Sequence, residues 1–240
     1  MRKLIWLEWK KNRAGRYVRN ALILAILLAL LVFGMAFFGI ADDPVTGVPD
    51  AAPGMLSISA GVEFLTNSAY FVFVGVMLAA FIVGAYKNGT MALMFTYPIS
   101  RRKILFSQLV AVWLFNFGAL VLTKLFLYGC LTLGESIYRT SSFPLDFDLG
   151  SPWFYGTVFL TAALVVTVGF LSLFAGLFAK SSKATVIASF LLILLTQGSV
   201  GDISLAGNPA FFLGLGLLAL GLAAGSVITA KKREVWFPDC

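Results

Sequence analysis

Lys124 is the only Lys, Arg, Asp or Glu inside the long apolar runs of this 240-residue sequence. A charge in such a place is a functional hypothesis by default. It follows Ile104 by 20 residues, roughly 30 Å along a helix at about 1.5 Å per residue. Its ammonium is therefore expected at headgroup level or paired with an acid such as Glu63 or Glu135, with contact to a transported substrate as the alternative. Asn116, Gln108, Thr196 and Gln197 are polar residues that line a path through a membrane or bridge two helices. Asn116, Lys124, Thr196 and Gln197 are the candidate translocation-path residues. Other chemistries lack raw material: histidine is absent, and the two cysteines are Cys130, in an apolar run, and Cys240, the last residue. A zinc site, a haem ligand pair and a Ser-His or Cys-His nucleophile are not expected. No apolar run carries paired carboxylates, so proton relays and intramembrane aspartyl proteolysis lack their central groups. Catalytic and metal-binding residues are expected to be absent.

The elements that must position these residues follow from composition. The sequence is 60% hydrophobic and 12% charged, with a mean hydropathy of +0.93, against about 45–50% apolar and about 25% charged in an average soluble domain. Such a chain cannot cover its apolar residues with its own polar surface, so its solvent is lipid. Since a bilayer core of about 30 Å takes about 20 apolar residues per helix, the uncharged runs predict spans at about 20–40, 64–86, 104–134, 153–179, 184–201 and 209–230. Pro209 suits the first turn of the last of them. The expected fold is a single all-α transmembrane domain over 1–240, with six membrane helices.

Lys and Arg set the orientation. With both termini on one side, that side holds Arg2, Lys3, Lys10, Lys11, Arg13, Arg16, Arg19, Lys87, Arg101, Arg102, Lys103, Lys180, Lys183, Lys231, Lys232 and Arg233, which is 16 of the 18 basic residues. Eight of the eleven acids (Asp42, Asp43, Asp50, Glu63, Glu135, Asp146, Asp148 and Asp202) fall opposite. Moving one span would scatter basic groups to both sides. The termini and the 231–240 tail are expected in the cytoplasm of a bacterial or archaeal cell, with the chain in its plasma membrane. The net charge of +7 is divided among short segments flanking helices, which matches anionic headgroups and implies no nucleic-acid partner.

Residues 1–19 mix Trp6, Trp9 and Tyr17 with seven basic residues, the composition of a helix lying in the cytoplasmic interface. The apolar run after them exceeds the 7–15 residues of a signal peptide's core, so an uncleaved first span is expected. Met55, Ile58, Val62 and Leu65 have the spacing of a short amphipathic helix on the outer surface. The outer segments are too short for a folded extracellular domain. Gly221 and Gly225 form a Gly-x-x-x-Gly pattern, expected to pack within the chain.

The stretch 86–103, YKNGTMALMFTYPISRRK, joins the second and third spans. Asn88-Gly89 is a turn signal, Thr90 an N-cap, Met91 to Tyr97 fit two helical turns, and Pro98 stops them. Ser100 is a second cap candidate, before Arg101, Arg102 and Lys103. Met91, Met94 and Phe95 share one face, an adaptable apolar patch that suits either lipid headgroups or a protein partner.

Gly89-Thr90, a short apolar helix and Pro98-Ile99-Ser100-Arg101 resemble the cytoplasmic coupling segment of type-2 ATP-binding-cassette (ABC) exporter permeases. Six spans, cytoplasmic termini, an interfacial N-terminal helix and the length extend the likeness to the whole chain. Many members carry a glutamate shortly before the Gly-Thr, where this sequence has Ala85 and Tyr86. The resemblance implies that Met91, Leu93, Met94, Phe95 and Tyr97 fill a cleft of an ATPase subunit, and that Arg101 and Arg102 anchor the segment there. The chain has no Gly-x-x-x-x-Gly-Lys-Ser/Thr phosphate loop; Gly176 to Ser181 lacks the second glycine. Non-enzymatic itself, it implies a separate ATPase chain in two copies, which binds ATP and Mg, and a second permease, either a copy or a sister. The expected cargo is a peptide, antibiotic or lipid-like amphipathic compound moved outward. A membrane immunity or sensor module that acts by binding alone, and a lipid-modifying enzyme, are the competing readings.

Overall fold

The computed structural model describes Trp9 and residues 14–37, 58–84, 101–138, 147–179, 181–197, 199–200, 203–204 and 209–229. Helices α1 (Ala14–Phe37), α2 (Ile58–Leu78), α3 (Arg101–Tyr138), α4 (Pro152–Gly169), α5 (Leu171–Phe178), α6 (Ser182–Gln197) and α7 (Pro209–Thr229) make up almost all of it. A ladder of two residues per strand, β1 (Ser199–Val200) against β2 (Ile203–Ser204), links α6 to α7 and pairs Ser199 with Ser204 and Val200 with Ile203. Among the described residues four stretches are long and apolar enough to cross a bilayer: Gly15–Met35, Ile58–Val83, Leu105–Gly134 and Pro152–Phe178. Ser182–Gln197 is a shorter apolar helix, as is the described core of α7, Leu213–Ala223. The architecture is an all-α, multi-pass membrane protein.

α2 is the centre of the bundle, in contact with α1, α3, α4, α5 and α6. Its first residues differ from the outer amphipathic helix that spacing predicts. Ile58 and Val62 belong to the first turns of α2 itself and are buried with Leu28 and Val32 of α1 and Leu127 and Leu131 of α3. A helix spacing pattern identifies a buried stripe but not whether the helix continues beyond it. Glu63, a boundary in the hydropathy profile, thus lies inside a helix.

At its other end α2 passes into a π turn, Ala79–Val83, closed by the Gly84 N–H donating to the Ala79 carbonyl. Phe81, Ile82 and Val83 are buried there, and the Tyr17 ring of α1 meets Phe81 edge-on at 5.3 Å. Trp9 reaches the same region, its indole N–H donating to the Ala111 carbonyl of α3 at 3.2 Å. α3 has 38 residues, about 57 Å at about 1.5 Å per residue, and so overshoots the hydrocarbon core.

α4 starts with Pro152 in its first turn, where the missing N–H leaves nothing unpaired. The turn before it is an Asx turn, Gly150 N–H donating to Asp148 Oδ1 at 2.8 Å. The run expected as one span at 153–179 is a single apolar stretch, Pro152–Phe178, with one irregular turn at Phe170. There the chain tightens, Phe170 N–H donating to Thr167 O at 3.1 Å, while the Ser172 hydroxyl takes the Gly169 carbonyl at 2.8 Å. α5 packs against α6, and both lean on α2.

Lipid is as apolar as leucine, so burying leucine drives helix association little here, and close packing with interhelical hydrogen bonds must do it. Glycines provide the first where α2 meets α6 and the end of α4, and where α5 meets α6. A Cβ on Gly75 would stand 2.7 Å from the Cβ and Oγ of Ser189, and one on Gly169 2.9 Å from Cγ1 of Val74. One on Gly176 would collide with Oγ1 of Thr185 and stand 3.0 Å from its Cβ. Gly221 and Gly225, by contrast, face open space among the described residues. Among the described residues no atom comes within 4 Å of a Cβ built at either glycine of the Gly-x-x-x-Gly pattern.

Candidate functional site

The polar contacts between helices concentrate on α3, where they form successive rungs to α2 and α4. Nearest Arg101, the Trp113 indole donates to Thr167 Oγ1 at 3.2 Å. The Asn116 amide comes next, donating to the Val112 carbonyl at 2.8 Å and touching the Met77 sulfur at 3.3 Å. Further along, the Tyr70 and Thr123 hydroxyls share a buried hydrogen bond of 2.8 Å. The partners run backwards along α2 and α4 as α3 advances, so α3 is antiparallel to both. The last rung carries charge.

Lys124 is 0% exposed, and its Nζ lies 2.6 Å from Glu63 Oε2 in an ion pair. It also donates to Thr161 Oγ1 of α4 at 3.2 Å. Glu63 gathers two more donors, Asn67 Nδ2 at 3.3 Å on Oε2 and the Tyr128 hydroxyl at 3.4 Å on Oε1. Three helices therefore converge on one carboxylate–ammonium pair. Its burial is uneven: the Glu63 side chain keeps 30% of its surface while Lys124 keeps none. On the far side from Arg101 the cluster is closed by aromatics, with Phe147 and Phe154 edge-on to the Tyr128 ring at 4.7 and 4.9 Å.

Such an arrangement suits holding charge in a dry place. A carboxylate and an ammonium withdrawn from water are stabilised only by each other and by further hydrogen bonds, and losing one partner typically costs about 3–5 kcal/mol. Of the two acids considered for Lys124, Glu63 is its partner here. Lys124 does not snorkel: its ammonium turns inward to α2 and α4. Among the described residues no three His, Cys, Asp or Glu stand together.

The other candidate path residues are dispersed. Asn116 is buried two turns before Lys124 on α3, and its Oδ1 has no hydrogen-bond partner. Thr196 turns its hydroxyl back to the Leu192 carbonyl of its own helix at 2.7 Å. Gln197 closes α6, its Nε2 buried without a partner. Asn116 and Lys124 thus share the α2–α3 seam, whereas Thr196 and Gln197 stand at the end of α6. Of the coupling segment, Gly89, Thr90, Met91, Leu93, Met94, Phe95, Tyr97, Pro98, Ile99 and Ser100 lie outside the described residues. Arg101 and Arg102 open α3.

Residue types alone missed Asn67, Tyr128, Thr161 and the Tyr70–Thr123 bond. A signal was present: Glu63 and Asn67 are four apart, as are Lys124 and Tyr128, which puts two polar pairs each on one helix face.

Residues 4–198 match the family model described as ABC-2 family transporter protein. The chain belongs to the ABC-2 transporter family. A probable ABC transporter permease protein, NosY of Pseudomonas aeruginosa, is 30% identical over 176 residues, covering 68% of this chain and 59% of that relative. An uncharacterized protein of Bacillus subtilis, YcbO, is 26% identical over 220 residues, covering 91% of this chain and 92% of the relative. Membership of the ABC-2 family makes the chain a membrane subunit of the permease kind. The match takes in α1 to α6, the π turn and the Glu63–Lys124 cluster.

Proposed function

We propose that the chain is the transmembrane permease of an ATP-driven exporter. It moves a peptide, antibiotic or lipid-like amphipathic substrate outward from the cytoplasm or the membrane of a bacterial or archaeal cell. The observation that carries this reading is family membership together with the stretch between α2 and α3. A Met- and Phe-rich turn of chain ends in Arg101-Arg102-Lys103 at the start of the longest helix. α6 and α7 complete six spans, with both termini cytoplasmic.

Hydrolysis belongs to a separate ABC ATPase, two copies of which bind ATP and Mg and serve a pair of permeases, identical or sister chains. Met91, Leu93, Met94, Phe95 and Tyr97 dock in the ATPase, and Arg101 and Arg102 fasten the segment to phosphates or acidic groups. Force enters beside the π turn, and one-turn π-bulges in α-helices recur at functional sites. Asn116 and Lys124 lie along the route of the cargo.

Purification of the full chain from its native membrane in mild detergent tests the reading. An ABC ATPase is expected to co-purify. Replacing Met94 and Phe95 by Asp should release it and abolish the hydrolysis measured in the preparation. Recovery of no ATPase, with hydrolysis untouched by that double replacement, would sink the proposal.

A further inference from the structure

The Glu63–Lys124 pair sits where three helices meet, and its two ends differ in exposure. Lys124 is wholly enclosed, and Glu63 retains 30% of its side-chain surface. Pulling the two charges apart in a low-dielectric interior is costly until water replaces each partner. The pair is either dry and in contact, or wet and apart, once water has replaced each partner.

Two further observations point to a second arrangement. Asn67 stands one turn deeper on α2 than Glu63, and its Oδ1 is buried with no partner among the described residues. Buried acceptors without partners are uncommon in native structures, and here the orphan belongs to the amide whose Nδ2 shares Glu63 Oε2 with the Lys124 ammonium, which needs a new acceptor once Glu63 withdraws. The seal over the pair is aromatic and thin: Phe147 and Phe154 against Tyr128, with Phe147 in the short turn that precedes α4 rather than in a helix.

We infer that Glu63 and Lys124 form the latch of a gate on the side of the bundle away from Arg101. While the pair is closed, α2, α3 and α4 seal that side; when water separates the charges, α2 parts from α3 and α4 and the route opens outward. The inference rests on the permease reading, and deepens it by assigning the far-side gate to a pair of residues. Coupled to α2, the latch lies at the opposite end of the helix from the π turn and the segment that receives the ATPase. One rigid element thus links the point where force enters to the point where the route opens.

Thr66 is a reporter of the seal, because it is 0% exposed and its hydroxyl bonds only to carbonyls of its own helix, Val62 and Glu63. In full-length chain with Cys130→Ala and Cys240→Ser, Thr66→Cys is exposed in intact cells to a membrane-impermeant thiol reagent, with the ATPase partner co-expressed. Labelling is expected to be slow with the pair intact and about tenfold faster with Lys124→Met, as for a shifted closed–open equilibrium. The exchanged pair Glu63→Lys with Lys124→Glu should return it to slow. The apolar pair Glu63→Leu with Lys124→Met should also be slow, and should stay slow when the partner ATPase is arrested with ATP bound. That arrest should change the rate in the chain with its native pair. Equal rates in every variant would make the pair a fixed staple and overturn the latch. Labelling of the Lys124→Met chain only after the cytoplasmic side is opened to the reagent would overturn the outward gate. These rates need no cargo, so the latch fails or stands apart from the ATPase recovery that tests the permease reading. The exchanged and apolar pairs decide the matter even if Lys124→Met alone does not reach the membrane.

Discussion

Two seams hold α2, and they are built on opposite principles. Against α3 and α4 the contacts are polar, ending in the Glu63–Lys124 pair with Asn67, Tyr128 and Thr161 around it. Towards α5 and α6 they are steric: Gly75 of α2 admits Ser189 of α6 and Gly176 of α5 admits Thr185 of α6 to distances that no Cβ would permit, and Gly169, the last residue of α4, admits Val74 of α2 in the same way. Lipid explains why both exist, since neither seam gains much from simple burial of apolar surface there. The difference lies in how each fails. A steric seam loses up to about half of its short-range contact energy over a gap of about 1 Å, whereas a buried charge pair stays attractive over longer distances until water solvates each partner. A bundle that has to open on one side and stay together on the other is served by having one seam of each kind.

The comparison can be broken from its strongest side first. Glu63→Leu strands Lys124, which has no exposed surface, and should destabilise the folded chain by about 3–5 kcal/mol, measured by denaturant titration in detergent micelles. Lys124→Met should cost less, because Glu63 keeps 30% of its surface and can be re-solvated in place. Equal losses would show that the uneven burial carries no energetic weight.

The steric seam comes second. Gly176→Ala should cost about 1–3 kcal/mol, the range for overpacking, because the new methyl meets both the Thr185 side chain and, at 3.4 Å, its Cα. Thr185→Ala in the same chain should recover part of that loss, since it removes the hydroxyl but leaves the Cβ at 3.0 Å. No recovery would mean the two helices do not meet there.

A smaller effect is expected from Tyr70→Phe, which removes the buried hydrogen bond to Thr123; interhelical bonds in membranes average about 0.6 kcal/mol. Gly221→Ala and Gly225→Ala should leave the stability of the single chain unchanged, as both positions face open space among the described residues. A marked loss in that last pair would put α7 in a contact between chains.

Much of this was legible in residue order. The run from Asn20 and that from Pro209 correspond to α1 and α7, and Trp153 stands 80% exposed in the first turn of α4, as an interfacial anchor should. Less legible were the extension of α2 back to Ile58, the π turn at Ala79–Val83 and the irregular turn at Phe170. The helix interiors are apolar on nearly every side, so they carry little periodic signal of which face packs. Helix ends in such a run are then set by tertiary contacts rather than by caps. Lys124 stood out in the sequence, but its surroundings did not: Glu63 is 61 residues away and only the antiparallel register of α2 and α3 brings it within reach.

What the sequence alone determined is the solvent and the helical class, because hydropathy is a property of each residue in its own stretch. Tertiary structure alone decided which of many glycines matter and which acid answers the buried lysine. Gly75, Gly169 and Gly176 are tightly packed while Gly221 and Gly225, the pair with the recognisable spacing, are not. The reason is geometric. Close approach and charge pairing depend on the rotation and register of one helix against another, and a helix that is apolar all round leaves both to be settled by the packing.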